Sequence, residues 1–140
     1  MTAFEYFKRA QGAVRLLNGA AVRLESMRAR EGVRAQRYGA IGRSGNRDVM
    51  AATDARIMAE QRIAKETEGF NATIEDAREV LAELRSANPK NPYWADMLEI
   101  RYLGDTTVMQ AASALGISRS YGQVCMRCGL EWIDAHGLVK

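Results

Sequence analysis

Two cysteines and one histidine near the carboxyl end of the chain could, by type and spacing, bind a metal or support redox chemistry. Cys125 and Cys128 form a C-x-x-C motif, and His136 is the single histidine of the sequence. These residues supply at most three ligands, whereas a structural zinc site uses four. Reactive dithiols favour a helix N-terminus, but these cysteines fall two turns inside a predicted helix. We interpret them as buried structural thiols; the alternatives are redox chemistry and a metal site shared with Asp134 or a partner chain.

A row of polar side chains overlaps this motif. Arg119, Gln123 and Arg127 follow one another at intervals of four residues, so in a helix they share one face. Arginine can bind guanine through two hydrogen bonds, and glutamine can bind adenine in the same way. Ser120 and Tyr121 lie beside them at the predicted helix start, which is the end of a recognition helix that enters the major groove. These five are candidate DNA-binding residues; for Arg119 and Arg127 the alternative interpretation is two ordinary solvated arginines.

Other patterns that could support catalysis are weak. A single histidine excludes a histidine-rich metal or acid–base cluster, and Gly42 and Gly45 lack the preceding strand of a phosphate-binding loop. The acidic residues of the middle segment are more simply a solvated helix face than paired catalytic acids. We therefore expect no enzyme activity, no cofactor and no resident metal.

The segment that carries both motifs is predicted to fold as three helices: Tyr93–Leu103, Val108–Leu115 and Arg119 to about Ala135. Between the last two, Gly116 allows a left-handed turn and Ser118 can cap the next helix, while Ala112 is small enough for two helices to cross closely. This pattern predicts a helix-turn-helix, and a generic helical hairpin with a glycine turn is the alternative. The side of the last helix predicted to face inward comprises Gly122, Cys125, Met126, Gly129, Trp132 and Ile133.

The first segment predicts a long amphipathic helix. Thr2 and Glu5 have the spacing of a capping box, and the helix is expected to continue to about Gln36. Three glycines within Tyr38–Asn46 then predict a flexible loop that reverses the chain. The apolar positions of this helix alternate between spacings of three and four, as in a coiled coil, and are Phe7, Ala10, Val14, Leu17, Ala21 and Leu24.

A second long helix is expected from a cap at Asp48 to Asn88, where Pro89 pushes the preceding residue out of the helical region. Its seam, in which only Thr67 is polar, comprises Ile63, Thr67, Phe70, Ile74, Ala77, Leu81 and Leu84. The two helices most simply form an antiparallel hairpin, although seams that pair between chains would give a dimer instead. The expected fold is therefore all-α, with a long helical hairpin at 1–88 and a three-helix helix-turn-helix unit at 89–140.

Composition and charge restrict the class of protein. The chain has 140 residues, of which 47% are hydrophobic, and no apolar run approaches the roughly 18 residues that span a bilayer. We therefore expect a soluble, cytoplasmic protein. Residues 1–47 hold 10 Lys and Arg against 3 Asp and Glu, whereas residues 48–92 hold 6 against 9. The basic strip either pairs with the acidic helix or faces a nucleic acid.

The carboxyl-terminal motif resembles region 4 of sigma-70-type factors as it occurs in small phage and prophage proteins. The resemblance lies in Leu98–Asp105, Ala111-Ala112 and Leu115–Ser120. Among such proteins, the ArpU- and RinA-like late transcription regulators also begin with two long helices around a loop that contains serine and glycine. The segments that fit this layout are Thr2-Ala3, Ser44-Gly45 and Asp48-Val49.

This resemblance implies sequence-specific binding of double-stranded DNA and control of phage transcription in the host cytoplasm, without catalysis. RNA polymerase or another protein is a further implied partner, and we expect a homodimer through the two long helices. Two departures favour a competing hypothesis: Gly122 and Cys125 are smaller than the usual anchors, and residues 93–140 carry a net charge of −1. In that alternative, the hairpin binds a protein and the helix-turn-helix no longer contacts DNA.

Overall fold

The computed structural model describes residues 1–41 and 45–139, and it describes the side chains of 1–30, 51 and 53–139. All regular structure in these ranges is helical, so the all-α prediction is confirmed. None of the described helices contains a segment long and apolar enough to cross a membrane. The helices are α1 (Ala3–Ile41), α2 (Gly45–Ala87), α3 (Pro92–Leu98), α4 (Val108–Leu115) and α5 (Arg119–Ala135).

The helix bounds predicted for the carboxyl-terminal segment agree closely with the structure. Both α4 and α5 have the predicted limits, and α3 begins at Pro92, where proline suits the first turn of a helix. The expected continuation to Leu103 is also present, but Glu99–Leu103 is a π-helical turn rather than an α-helix. Such turns are uncommon and often occur near functional sites.

The predicted connection between the long helices is wrong at both ends. The helix α1 continues beyond Gln36 to Ile41, and α2 begins at Gly45, before the predicted cap at Asp48. A glycine lowers helix propensity by about 1 kcal/mol relative to alanine, which does not by itself end a helix. Residues 42–44 of the predicted loop, which include Ser44, lie outside the described residues.

The chain divides into two compact units that do not follow the predicted boundary between residues 88 and 89. The terminal unit consists of Met1–Arg15 with Phe70–Lys140, and the two-helix unit consists of Leu16–Gly69. The start of α1 and the end of α2 share one hydrophobic core with α3, α4 and α5, which is why the boundary falls elsewhere. The largest fully buried side chains belong to Phe7, Leu81, Leu84, Met97, Leu98, Cys125 and Ile133.

The two apolar seams are buried to different depths. In the terminal unit, Phe7, Ala77 and Leu84 are fully buried within the single chain. In the two-helix unit, the seam residues whose side chains are described are half-buried, except for Ala21. That residue is exposed and its neighbour Ala20 is buried instead, so the predicted first seam is wrong by one residue at this turn.

Candidate nucleic-acid interface

The connection between α4 and α5 is fixed by local capping interactions. Thr107 and Gln110 form a capping box at the start of α4, each side chain accepting a backbone N–H of the other residue. Gly116 ends α4 with a φ of +69°, a left-handed conformation that favours glycine. The hydroxyl of Ser118 then accepts the N–H of Tyr121 at 3.2 Å and caps α5. The turn predicted from Gly116 and Ser118 is therefore confirmed.

Gly122 allows α5 to lie very close to α4 and α3. A Cβ atom at this position would lie 2.9 Å from Cε of Met97 and 3.2 Å from Cβ of Ala112. Gly129 is similarly restricted, because a Cβ there would lie 3.0 Å from Leu98 Cδ1 and 3.3 Å from the carbonyl oxygen of Trp94. The glycine at 122, which the sequence presented as a weakened anchor, is thus the residue that fits this crossing.

The inward side of α5 was predicted correctly. Cys125, Met126 and Ile133 are buried with both glycines of the helix, while Trp132 is half-buried. The opposite side of α5 therefore lies at the surface. Its orientation is fixed by the packing of the buried side.

The structure brings some of the five candidate DNA-binding residues together and separates one of them. Arg119 and Ser120 are exposed in the first turn of α5, and Gln123 and Arg127 are exposed along its length. Tyr121 instead packs edge-on against Tyr93, with ring centroids 6.3 Å apart, although 48% of it is exposed. The surface suited to an external partner is therefore formed by Arg119, Ser120, Gln123 and Arg127.

The two arginines of this surface differ from those of the basic strip in their ion pairs. Neither Arg119 nor Arg127 forms an ion pair with any residue in the described part of the chain. By contrast, Arg15 pairs with Asp105 at 2.9 Å and Arg28 pairs with Glu60 at 3.0 Å. Some arginines of the basic strip thus bind acidic neighbours, whereas Arg119 and Arg127 pair with none of the carboxylates that the structure describes.

An apolar groove of about 290 Å³ lies along the same side of α5. Phe4 of α1 lines it, is 50% exposed and has the Lys8 ammonium group 5.8 Å from its ring centroid. The polar residues at its edge include Gln123 and Arg127, together with two carboxylates further along α5. The lining comprises Phe4, Tyr102, Val108, Gln123, Met126, Arg127, Leu130, Glu131 and Asp134.

This groove cannot be predicted from the sequence, because its walls are far apart in the chain. The spacing of Gln123, Arg127, Leu130 and Glu131 reveals their common face, but nothing in the sequence places Phe4 opposite them. A tertiary hydrogen bond helps to hold the start of α1 at this place. The Asp134 carboxylate accepts the N–H of Ala3 at 2.7 Å, and a carboxylate at a helix N-terminus is electrostatically favourable.

A second tertiary contact positions the segment that precedes α4. Asp105 has a φ of +50°, which is unusual for a residue other than glycine. Its carboxylate accepts a hydrogen bond from the side chain of Gln11 at 3.0 Å and forms the ion pair with Arg15. Gly104 is required just before it, because a Cβ there would lie 2.6 Å from the carbonyl oxygen of Ile100. The start of α1 thereby holds the π-helical turn and the loop that leads into α4.

The cysteines differ in their surroundings. Cys125 is 1% exposed and Cys128 is half-buried, and both are free thiols. Burial raises the pKa of the Cys125 thiol, and a hydrogen bond with Tyr121 opposes this shift. Reactive cysteines have a lowered thiol pKa, so the burial and raised pKa of Cys125 fit a structural thiol. His136 stacks on Trp132 with ring centroids 3.9 Å apart.

No group of three or more potential metal ligands occurs within the described residues. Comparisons with protein families, with curated proteins and with solved structures gave no match to this chain.

Proposed function

We propose that this chain binds double-stranded DNA through α5 and acts as a transcription regulator of the phage type. In this proposal α1 and α2 form an antiparallel hairpin, and α3, α4 and α5 form a helix-turn-helix similar to sigma region 4. The regulator works without catalysis or a cofactor, in the cytoplasm of the cell that holds its DNA target.

One observation carries the proposal. Arg119 and Arg127 are exposed and form no ion pair with the described residues, on a helix whose other side is held by the close contact between Gly122 and Ala112. A rigid helix that presents arginine and glutamine at its N-terminal half has the chemistry required for contacts with bases and phosphates in the major groove.

The direct test is selection from a random pool of duplexes by the purified protein, at low and at physiological salt, because affinity for DNA depends strongly on salt. We expect enrichment of a short sequence. On the enriched duplex, Arg119→Ala should weaken binding by roughly 1–3 kcal/mol and relax the preference at one base pair. Arg78→Ala, which removes an exposed arginine of α2 paired with Glu75, is the matched control and should change little.

Two outcomes would contradict the proposal. A folded wild-type protein that selects no DNA at low salt has no DNA-binding function, and equal losses for Arg119→Ala on selected and random duplexes would remove base recognition from Arg119. Circular dichroism of each variant checks that its helices are intact.

The competing candidate is a protein-interaction module. The observation that favours it is the groove, because its apolar lining and the carboxylates of Glu131 and Asp134 lie beside Arg127 on one side of α5. Carboxylates repel phosphates, whereas an apolar groove suits protein side chains. Failure of the DNA selection would make this candidate the better account of the α5 surface.

A further inference from the structure

The groove beside α5 has a charge pattern that is complementary to itself. Arg127 and Glu131 stand four residues apart on its edge, and half-buried Leu130 lies beside them. An arginine placed four residues before a glutamate is the less favourable order for a pair within one helix. Neither of these two side chains forms an ion pair with a residue in the described ranges.

A two-fold axis would place this charge pattern of one copy opposite the same pattern of a second copy. In a symmetric dimer the same patch is used by both copies, so it has to complement itself. If two copies of α5 cross antiparallel with the axis between residues 127 and 131, Arg127 of each copy faces the partner's Glu131. A partner of a single charge sign would leave one of these two groups opposite a like charge.

The apolar part of the groove supports the same occupant. Phe4 is half exposed and Leu130 and Val108 are half-buried, so each copy offers apolar surface next to the charged pair. Most seam residues of the terminal unit are already buried within one chain, among them Phe7, Leu81 and Leu84, whereas Val14 and Phe70 are half-buried. The seam therefore offers a second copy little free apolar surface on the terminal unit, and the groove is an apolar surface that it can use.

We propose that a second copy of this chain docks on the groove, with Arg127 of each copy paired to the partner's Glu131 across a two-fold axis. This contact covers Gln123 and Arg127. A DNA duplex on the same residues would therefore compete with the second copy; this consequence rests on the proposed function, whereas the self-association does not.

The test is a charge exchange measured by sedimentation equilibrium without DNA. The wild type should show a reversible increase from 15.5 kDa towards twice that mass as its concentration rises. Arg127→Glu places two glutamates opposite each other, and Glu131→Arg places two arginines opposite each other. Each variant alone should associate more than about tenfold more weakly, because opposed like charges disfavour an interface.

Two further samples should restore association. One is the double variant Arg127→Glu/Glu131→Arg; the other is an equimolar mixture of the two single variants, since each then supplies the charge that the other requires. Recovery in the mixture excludes misfolding as the cause of the single losses. Arg78→Glu, a charge reversal on α2, is the matched control and should leave the mass distribution unchanged.

Three results would overturn the proposal: a wild type that stays at 15.5 kDa throughout, a dimer that tolerates both single reversals, or single losses that the mixture does not restore. None of these depends on DNA. A chain that dimerises but selects no DNA would therefore contradict the proposed function alone, and a monomer that selects DNA would contradict this inference alone.

Discussion

The terminal unit and the two-helix unit each contain part of α1 and part of α2, but they are stabilised in different ways. In the terminal unit, α1 and α2 share a core with three further helices, and large side chains such as Phe7 and Leu84 are completely buried. In the two-helix unit, Ala20 is the single fully buried residue among those whose side chains are described. Its helices are joined by half-buried apolar residues and by ion pairs such as Arg28–Glu60.

This difference shows that a regular apolar period does not determine how deeply a helix is buried. Ile63 and Leu84 belong to the same predicted seam of α2, yet Ile63 is half-buried and Leu84 is fully buried. The number of surrounding helices decides the depth. A surface that has to hold a precise geometry, such as that of α5, is therefore better supported by the terminal unit.

The largest expected effect comes from truncating each seam in turn. Leu84→Ala should lower the free energy of unfolding by about 2–5 kcal/mol, because it leaves a cavity in a closed core. Ile63→Ala should cost roughly 1–2 kcal/mol, since part of that side chain is already in water. Urea unfolding monitored by circular dichroism measures both. Equal losses would show that the two units are packed equally well.

Glycines provide a second contrast of the same kind. Gly122→Val should destabilise the chain by about 1–3 kcal/mol, because the added atoms meet Met97 and Ala112 in a filled space. Gly19→Ala in the two-helix unit meets nothing within 4 Å and should stabilise α1 by up to about 1 kcal/mol. Thermal unfolding of both variants tests this, and a tolerated valine at 122 would mean that α5 can move away from α4.

Features that depend on neighbours in sequence were predictable. The Thr2–Glu5 capping box is confirmed by hydrogen bonds in both directions, at 2.9 and 3.2 Å. The turn at Gly116 and the cap at Ser118 follow the same logic, because each needs a particular residue at a fixed short distance along the chain. Helical spacing singles out Arg119, Gln123 and Arg127, and the helix start adds Ser120 and Tyr121; all five are exposed, and their contact with DNA stays a prediction.

Features that depend on distant residues were not predictable. The groove requires Phe4 to meet α5, and the loop before α4 requires Gln11 and Arg15 to meet Asp105. Neither the spacing nor the composition of the sequence indicates that these distant residues meet. The reason for a glycine at position 122 was hidden in the same way: the sequence shows a residue smaller than the usual anchor, but only the packed structure shows that Met97 and Ala112 leave no room for a Cβ.

The basic residues of the two units should contribute to DNA binding in different ways. Arg119→Ala should cost roughly 1–3 kcal/mol on a selected duplex and less on random DNA. Arg30 is exposed in the two-helix unit, outside the proposed recognition helix, so any contact it makes with DNA is expected to be with phosphate; Arg30→Ala should then weaken all sequences about equally and reduce the salt slope by about one. Binding isotherms at several salt concentrations separate the two. A sequence-dependent loss for Arg30→Ala would transfer base recognition to the two-helix unit.

The two cysteines provide a further test of whether the terminal unit has a closed core. Replacing Cys125 and Cys128 together with alanine should lower stability by about 1–2 kcal/mol, with most of the loss arising from the fully buried Cys125. Alkylation of the native protein should modify half-buried Cys128 first, because burial raises the pKa of Cys125 and limits access to it. Stoichiometric zinc in protein purified without added metal would contradict the structural role.

The smallest expected effect concerns pH and the ion pairs of the two-helix unit. A hydrogen bond from Arg28 lowers the pKa of Glu60 below its ordinary value of 4.5, so this carboxylate stabilises the fold at neutral pH. That contribution is present above the ordinary value and is lost as the pH falls through the lowered pKa. Glu60→Gln should remove this part of the acid sensitivity, and salt should diminish the difference from wild type because the pair is partly exposed.

Glu5 provides the matched case in the terminal unit, because the N–H of Thr2 lowers the pKa of its carboxyl group. Amide hydrogen exchange at neutral and acidic pH can follow each site separately. Relative to the intrinsic exchange rate at each pH, acid should reduce the protection around Glu60 in the wild type and much less in Glu60→Gln, while Glu5→Gln should affect the first turn of α1 alone. If acid opened the core around Leu84 before the helices around Glu60, the two-helix unit would not be the one that depends on ion pairs.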